Sequence, residues 1–406
     1  MTDHAETTVR RIMDSAAFRT AHATLAQEHD RTVQDIVTLT QIAAPSFQEE
    51  TRAAAYIEMA KAHGLTDLEI DAEGNVTGMR RGIGNGPLIC VAAHLDTVFP
   101  AGTDLTVRRE GTKLFAPGVG DDTRGLAVLL AWLRALDAAA IRTRADILFC
   151  ADVGEEGQGD LRGMRHLFQH GRYKDRISAF ITVDSPDMDR IATGGVGSKR
   201  YRVTFNAPGG HSYGAFGVVN PMYAMADTIA RLSRVTVPAR PKTTFSASVT
   251  GGGTSINAIP NSVWTEFDLR SEAPEELDRL EQEFFALIDA AVAVENAARS
   301  TRNGGVTTET VKIGDRPAGH TDESCELVRL AHAAIAAHGF TPVFEASSTD
   351  ANIPMSLGIP AIKIGSGGTG GRAHSLEEWI DVEPEVSIRG MTAGLATLLA
   401  VAGISE

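Results

Sequence analysis

Five polar positions follow apolar runs in this 406-residue chain: His94 in AAHLDTV, Asp121 in GVGDDTRG, the pair Glu155–Glu156 in VGEEGQGD, Asp184 in TVDSPD and His374 in GGRAHSLEEW. Imidazole nitrogen and carboxylate oxygen are good ligands for zinc and similar divalent ions. Two such ions carry +4, and Asp121, Glu156 and Asp184 return −3. One deprotonated water would bring the set to neutrality, which is the charge balance of a hydrolytic dinuclear centre. Asp121 would have to bridge the two ions. Asp96 lies two residues after His94, on the same side of an extended chain, so it can orient the imidazole from behind. Adjacent Glu155 and Glu156 can divide the work, one as ligand and one as a base for water. Each residue alone has a plainer reading. A histidine after a strand is more often structural, paired glutamates usually sit in a wet turn, and a strand-end Asp often caps the next helix.

The elements that must hold these residues are readable from periodicity. Residues 8–42 carry apolar side chains near helical spacing without Pro or Gly, which predicts one helix. Pro45 interrupts, and Ser46 with Glu49 predicts a capping box before a helix over 47–63, with Gly64 as its stop. LEIDAEGNVTGMR, GPLICVAAHLDTV, ADILFCADV and AFITVDS read as strands, and the nearly unbroken apolar runs suit a sheet covered on both faces. GLAVLLAWLRALDAA reads as a buried helix. Strand–helix alternation of this kind predicts an α/β sheet, with ligands at the carboxyl ends of its strands.

Near residue 196 the texture changes. RYRVTFNAP, TFSASVTG and SVWTEFDLR alternate polar and apolar residues, as half-solvated antiparallel strands do. Helices are expected at about 220–234 and 274–298. This β-α-β-β-α-β string predicts an α+β, ferredoxin-like domain inserted into the α/β domain. The expected boundaries are 1–195 and 317–406 for the catalytic domain and 196–316 for the insert.

Hydrophobic residues make up 43% and charged residues 22% of the chain, which is the composition of a globular protein. Lys plus Arg number 38 against 52 Asp plus Glu, a net charge of −14. That balance argues against nucleic acid or an anionic membrane surface as partner. No run approaches a membrane span and the N-terminus has no signal-peptide character, so a cytoplasmic location is expected. Three cysteines, Cys90, Cys150 and Cys325, are too few and too scattered for a disulfide framework. Gly365, Gly367 and Gly370 form a G-x-G-x-x-G after a strand, but no acidic residue closes a dinucleotide unit about 20 residues on. The better reading is a loop whose N–H groups, Gly367 among them, line a substrate carboxylate and carry His374 into place.

Taken in order, HLDTV, GVGDDTRG, GEEGQGDLRG, GGHS and STDAN…GIP…H resemble the M20 family of metallopeptidases and aminoacylases, nearest its tripeptidase T and glutamate carboxypeptidase branch. The likeness runs from about residue 35 to the C-terminus. It implies a zinc-exopeptidase-like three-layer catalytic domain with an inserted lid and dimerisation domain. It implies two Zn²⁺ per subunit, with Co²⁺ or Mn²⁺ as substitutes: His94 and Asp184 on one ion, Glu156 and His374 on the other, Asp121 bridging. Glu155 would be the general base and Asp96 the residue behind His94, and the Asp121–Asp122 peptide would be cis. His211 of GGHS would reach the partner's site in a homodimer formed through the lid and steady the oxyanion. Asn257 and Arg270 would grip the substrate. One departure is Thr123 then Arg124, where many members place Lys two residues after the bridging Asp. The implied substrate is a small peptide or N-acyl amino acid with a free carboxylate, with deacylation as the alternative to peptide cleavage.

Overall fold

The computed structural model describes residues 4–84 and 86–405. The chain divides into two compact units, one formed by residues up to Gly195 and from His320 onward, the other by Val196–Gly319.

A nine-stranded mixed sheet organises the first unit. Its centre is four parallel neighbours in the order Asp146–Asp152, Leu88–His94, Ile177–Val183 and Ala361–Ile364. Every residue of Leu88–His94 is buried. Ile89, Val91 and Ala93 face one apolar cluster, while Leu88, Cys90 and Ala92 face another. That two-sided burial is why the run is almost wholly apolar, and it makes the unit three-layered. The helix Thr123–Ala138 lies in the first cluster, with nearly every residue buried. Because the four strands are parallel, their carboxyl ends share one edge. Cys90 and Cys150 are buried free thiols, as their positions in apolar runs predict.

The second unit is a four-stranded antiparallel sheet in the order Thr243–Gly252, Ser262–Ser271, Gly197–Asn206, Thr307–Arg316. With the helices Pro221–Leu232 and Pro274–Ala298 it forms the expected ferredoxin-like α+β string. Tyr201, Val203 and Phe205 pack with Val263, Phe267 and Leu269 beneath Leu280 and Phe284 of the long helix. Ser262–Ser271 alternates between buried and part-exposed residues along its length, the period of a sheet with one covered face.

Three expectations need correction. Residues 8–42 are not one helix but parts of three, His4–Met13, Ala16–Gln27 and His29–Thr40. Ser15 takes an extended backbone and its Oγ accepts the Phe18 N–H, so it starts a new helix without any Pro or Gly. The helix predicted over 47–63 spans Glu50–Ala60 and has no capping box. Ser46 and Glu49 are engaged elsewhere: Glu49 binds Arg162 through both carboxylate oxygens. Lastly, Pro384–Ala402 is long and apolar enough to cross a membrane by length and composition, although no such run was expected. It is mostly buried, and Met391, Leu395, Leu398 and Leu399 belong to the core.

Candidate metal centre

The strand edge gathers the polar residues. His94 ends Leu88–His94, Glu155 and Glu156 follow Asp146–Asp152, and Asp184 follows Ile177–Val183. Asp121 precedes the helix Thr123–Ala138 across a cis Asp121–Asp122 peptide. Asp122 is the helix cap: its Oδ1 accepts Gly125 N–H at 3.1 Å, and its Oδ2 accepts His94 N–H at 3.2 Å. His374 stands on the loop between two short paired strands, Thr369–Gly371 and Trp379–Asp381.

Ligand atoms of His94, Asp121 and Glu156 lie within 4.8 Å of one another, the one such grouping among the described residues. The two oxygens of Asp121 face different histidines. Oδ1 is 3.0 Å from His94 Nε2 and Oδ2 is 3.1 Å from His374 Nε2. His374 Nε2 is also 2.9 Å from Glu156 Oε1. Asp184 lies outside that grouping but within electrostatic reach of Asp121, His94 and His374.

The electrostatics follow from crowded carboxylates. Burial works against charge on Asp121, yet hydrogen bonds from His374 and His94 hold its carboxyl far below the ordinary range. Hydrogen bonds to Asp121 and Glu156 push His374 up to about 11, with burial opposing. His94 is pushed well up despite complete burial, by Asp121 and Asp122. Burial raises Glu156 and Asp184, and the charge of Asp121 adds to both. A field this strongly acidic favours positive charge, and the donor set is carboxylate plus imidazole. Both properties fit a divalent cation.

Asp96 is placed differently from the expected pose. His94 Nδ1 meets the Asp96 backbone carbonyl at 3.0 Å, and the carboxylate is farther, at 3.7 Å. The carboxylate instead accepts the N–H groups of Glu155 at 2.9 Å and Glu156 at 3.0 Å, and the Ser46 hydroxyl at 2.6 Å. The side chain of Asp96 thus fixes the turn that presents both glutamates. Both Glu155 and Glu156 are buried, at 6% exposure.

Gly367 also departs from expectation. Its N–H is spent on the Pro186 carbonyl at 3.0 Å, so it is not offered to a ligand. Gly367 has φ +88°, and an added Cβ would stand 2.9 Å from Gly390 Cα. Its role is close backbone packing against the C-terminal helix.

His211, Asn257 and Arg270 belong to the second unit. His211 and Asn257 are neighbours there, because Ser212 N–H donates to the Asn257 carbonyl and His211 pairs with Ala258. Both are exposed, as are Tyr213, Phe216 and Ile256 beside them. Arg270 stands apart, with its Nε 2.6 Å from Asp268 Oδ2.

Sequence reasoning missed Ser46, Asp122 and Glu378. Ser46 and Asp122 carry ordinary cap-like signals. Glu378 accepts the N–H groups of Gly118, Gly120 and Asp121, and nothing in LEEW separates it from exposed Glu377. Thr123, at the departure from the family pattern, is buried and donates its hydroxyl to the Gly118 carbonyl at 2.7 Å.

An α/β unit with a ferredoxin-like insert, and a ring of imidazoles and carboxylates at its strand edge, define a metallohydrolase class of fold. The chain belongs to peptidase family M20/M25/M40, whose family model matches residues 90–401. It is 27% identical to carboxypeptidase G2 of a Pseudomonas species over 208 residues, 50% of this chain and 49% of that protein. It is 28% identical to succinyl-diaminopimelate desuccinylase of Leptothrix cholodnii over 250 residues, 57% of this chain and 63% of that protein. The matches therefore span less than two thirds of either relative. The crystal structure of aminopeptidase PepT from Bacillus cereus shares the fold, with a TM-score of 0.73 and 19% identity over 92% of this chain and 99% of that one.

Proposed function

We propose that this chain is a dinuclear zinc hydrolase of small peptides or N-acyl amino acids that carry a free carboxylate. The observation that carries the proposal is Asp121, whose two oxygens each face a histidine from a different segment of the chain. His94 and Asp184 would hold one ion and Glu156 and His374 the other, with Asp121 shared and Co²⁺ or Mn²⁺ as possible substitutes. Bound there, the metal supplies Lewis acidity and acidifies water toward neutral pH.

The protein's own groups do the rest. Glu155 takes the proton of the attacking water on its carboxylate and returns it to the leaving nitrogen. Asp96 holds the Glu155–Glu156 turn through both backbone N–H groups, so base and ligand keep a fixed spacing. Arg270 offers a guanidinium to the substrate carboxylate, exchanging its present partner Asp268 for it. Asn257, beside His211, supplies an amide to the substrate. His211 donates a proton or hydrogen bond to the carbonyl oxygen as it gains charge. In this reading residues 1–195 and 317–406 are the catalytic domain, and 196–316 is a lid through which two copies associate. His211 would then act in the partner's site, and its exposed turn suits such a role. Buried, unpaired thiols suit a reducing cytoplasmic location.

A second reading, deacylation of N-acyl amino acids, is favoured by the similarity to a desuccinylase. The deciding assay sets di- and tripeptides against N-acetyl and N-succinyl amino acids. Glu155→Gln tests the base: turnover should fall by about 10²–10⁴-fold while the metal content stays at the wild-type value. Retained turnover would remove Glu155 from this role.

A further inference from the structure

The geometry points to Glu378 as a positioning residue that joins the Asp121 loop to the His374 loop and so sets the aim of the bridging carboxylate. This inference rests on the metal-centre reading above. Glu378 is 2% exposed. Its Oε2 accepts Gly118 N–H at 2.9 Å, and its Oε1 accepts Gly120 N–H at 2.7 Å and Asp121 N–H at 2.9 Å. Its own backbone carbonyl accepts Ala116 N–H at 3.1 Å. A buried carboxylate is costly unless its charge is met, and here three backbone N–H groups of one loop meet it.

Both oxygens are occupied and the side chain is enclosed, so Glu378 has no route to substrate. Its effect must pass through what it holds. The last of the three N–H groups is that of Asp121 itself. Rotation of that peptide would swing Oδ1 away from His94 and Oδ2 away from His374. Glu378 also lies four residues after His374, at the foot of that loop, where Trp379–Asp381 pairs with Lys113–Phe115. One side chain therefore ties two ligand-bearing segments that are 257 positions apart in sequence. Gly120 permits the approach: a Cβ there would stand 3.2 Å from Glu378 Oε1 and 2.8 Å from Ile380 Cγ2.

The test is Co²⁺ binding, read by titration calorimetry and by the visible absorption spectrum, on the full chain and its variants. Removing a group that orients ligands typically weakens metal affinity about 10–100-fold. Glu378→Ala should show that loss together with an altered cobalt spectrum. Its kcat should fall while KM holds. Glu378→Gln keeps an oxygen for Gly120 and Asp121 but turns an NH₂ toward Gly118, so it should recover part of the affinity and spectrum. Glu295→Gln is the control: this buried carboxylate of the second unit accepts Asn220 N–H and should leave the spectrum unchanged. If Glu378→Ala folds and binds cobalt as the wild type does, the inference is wrong. If it does not fold, a wild-type spectrum and affinity in Glu378→Gln overturn it equally. A wild-type chain that takes up no cobalt overturns the metal-centre reading itself, a distinct outcome.

Discussion

His94 and His374 approach the same carboxylate from opposite kinds of structure. His94 is the last residue of a core strand and is 1% exposed. Asp122 holds its backbone N–H, the Asp96 carbonyl holds Nδ1, and Asp121 receives Nε2. His374 sits on a loop in the left-handed backbone region at φ +63°, with 55% of its side chain exposed. One imidazole is enclosed by the core, while the other is half open to solvent and meets Asp121 and Glu156.

That contrast can be broken by substitution. The largest effect should come from Asp121→Asn, which removes the charge both histidines share. Metal binding should fall to one ion or none and turnover should vanish, read by metal analysis and a hydrolysis assay. His94→Ala comes next. It removes the imidazole that meets Asp121 Oδ1 and leaves that carboxylate to His374 alone, and breaking a buried pair of this kind costs up to about 3–5 kcal/mol. His374→Ala should lose metal affinity with less than about 1 kcal/mol of stability, as for other exposed positions. Chemical denaturation of the two variants separates them, and equal stability losses would abolish the distinction. Asp122→Ala should be milder, about 1–2 kcal/mol for a lost helix cap, with weaker metal binding because His94 N–H is released.

The smallest effect concerns protons. His338 is part-buried and has an Ala334 carbonyl where His94 has carboxylates. Burial lowers its pKa, whereas the carboxylates raise that of His94. A histidine lowered on folding binds its proton more tightly when unfolded. Its contribution is present above the unfolded pKa, about 6.5, and is lost as pH falls below that value. Melting temperature should therefore drop from pH 7.5 toward pH 5.5, and His338→Gln should flatten the slope. An unchanged slope would mean His338 does not report burial in this way.

How much of this was readable beforehand depends on the range of the interaction. The helix Pro274–Ala298 and the strand Ser262–Ser271 declare themselves through local period, because each has one covered face. The ligand-type residues stand out because parallel strands bring their carboxyl ends to one edge. What stayed hidden is set by contacts remote in sequence. Ser46 looks like a helix cap but reaches Asp96 fifty residues away. Glu377 and Glu378 are indistinguishable as letters, yet one is exposed and the other holds the Asp121 loop. Gly367 fits a ligand-binding pattern, but its N–H was already taken by Pro186. The break at Ser15 shows that a cap can divide helices without any breaker residue.

The most direct test of the account counts metal per chain in purified protein saturated with Zn²⁺ or Co²⁺ and then dialysed. Two equivalents in the wild type, falling to one or fewer in Asp121→Asn, is the predicted result. A single equivalent in the wild type, unaffected by Asp121→Asn, would contradict a shared bridging carboxylate.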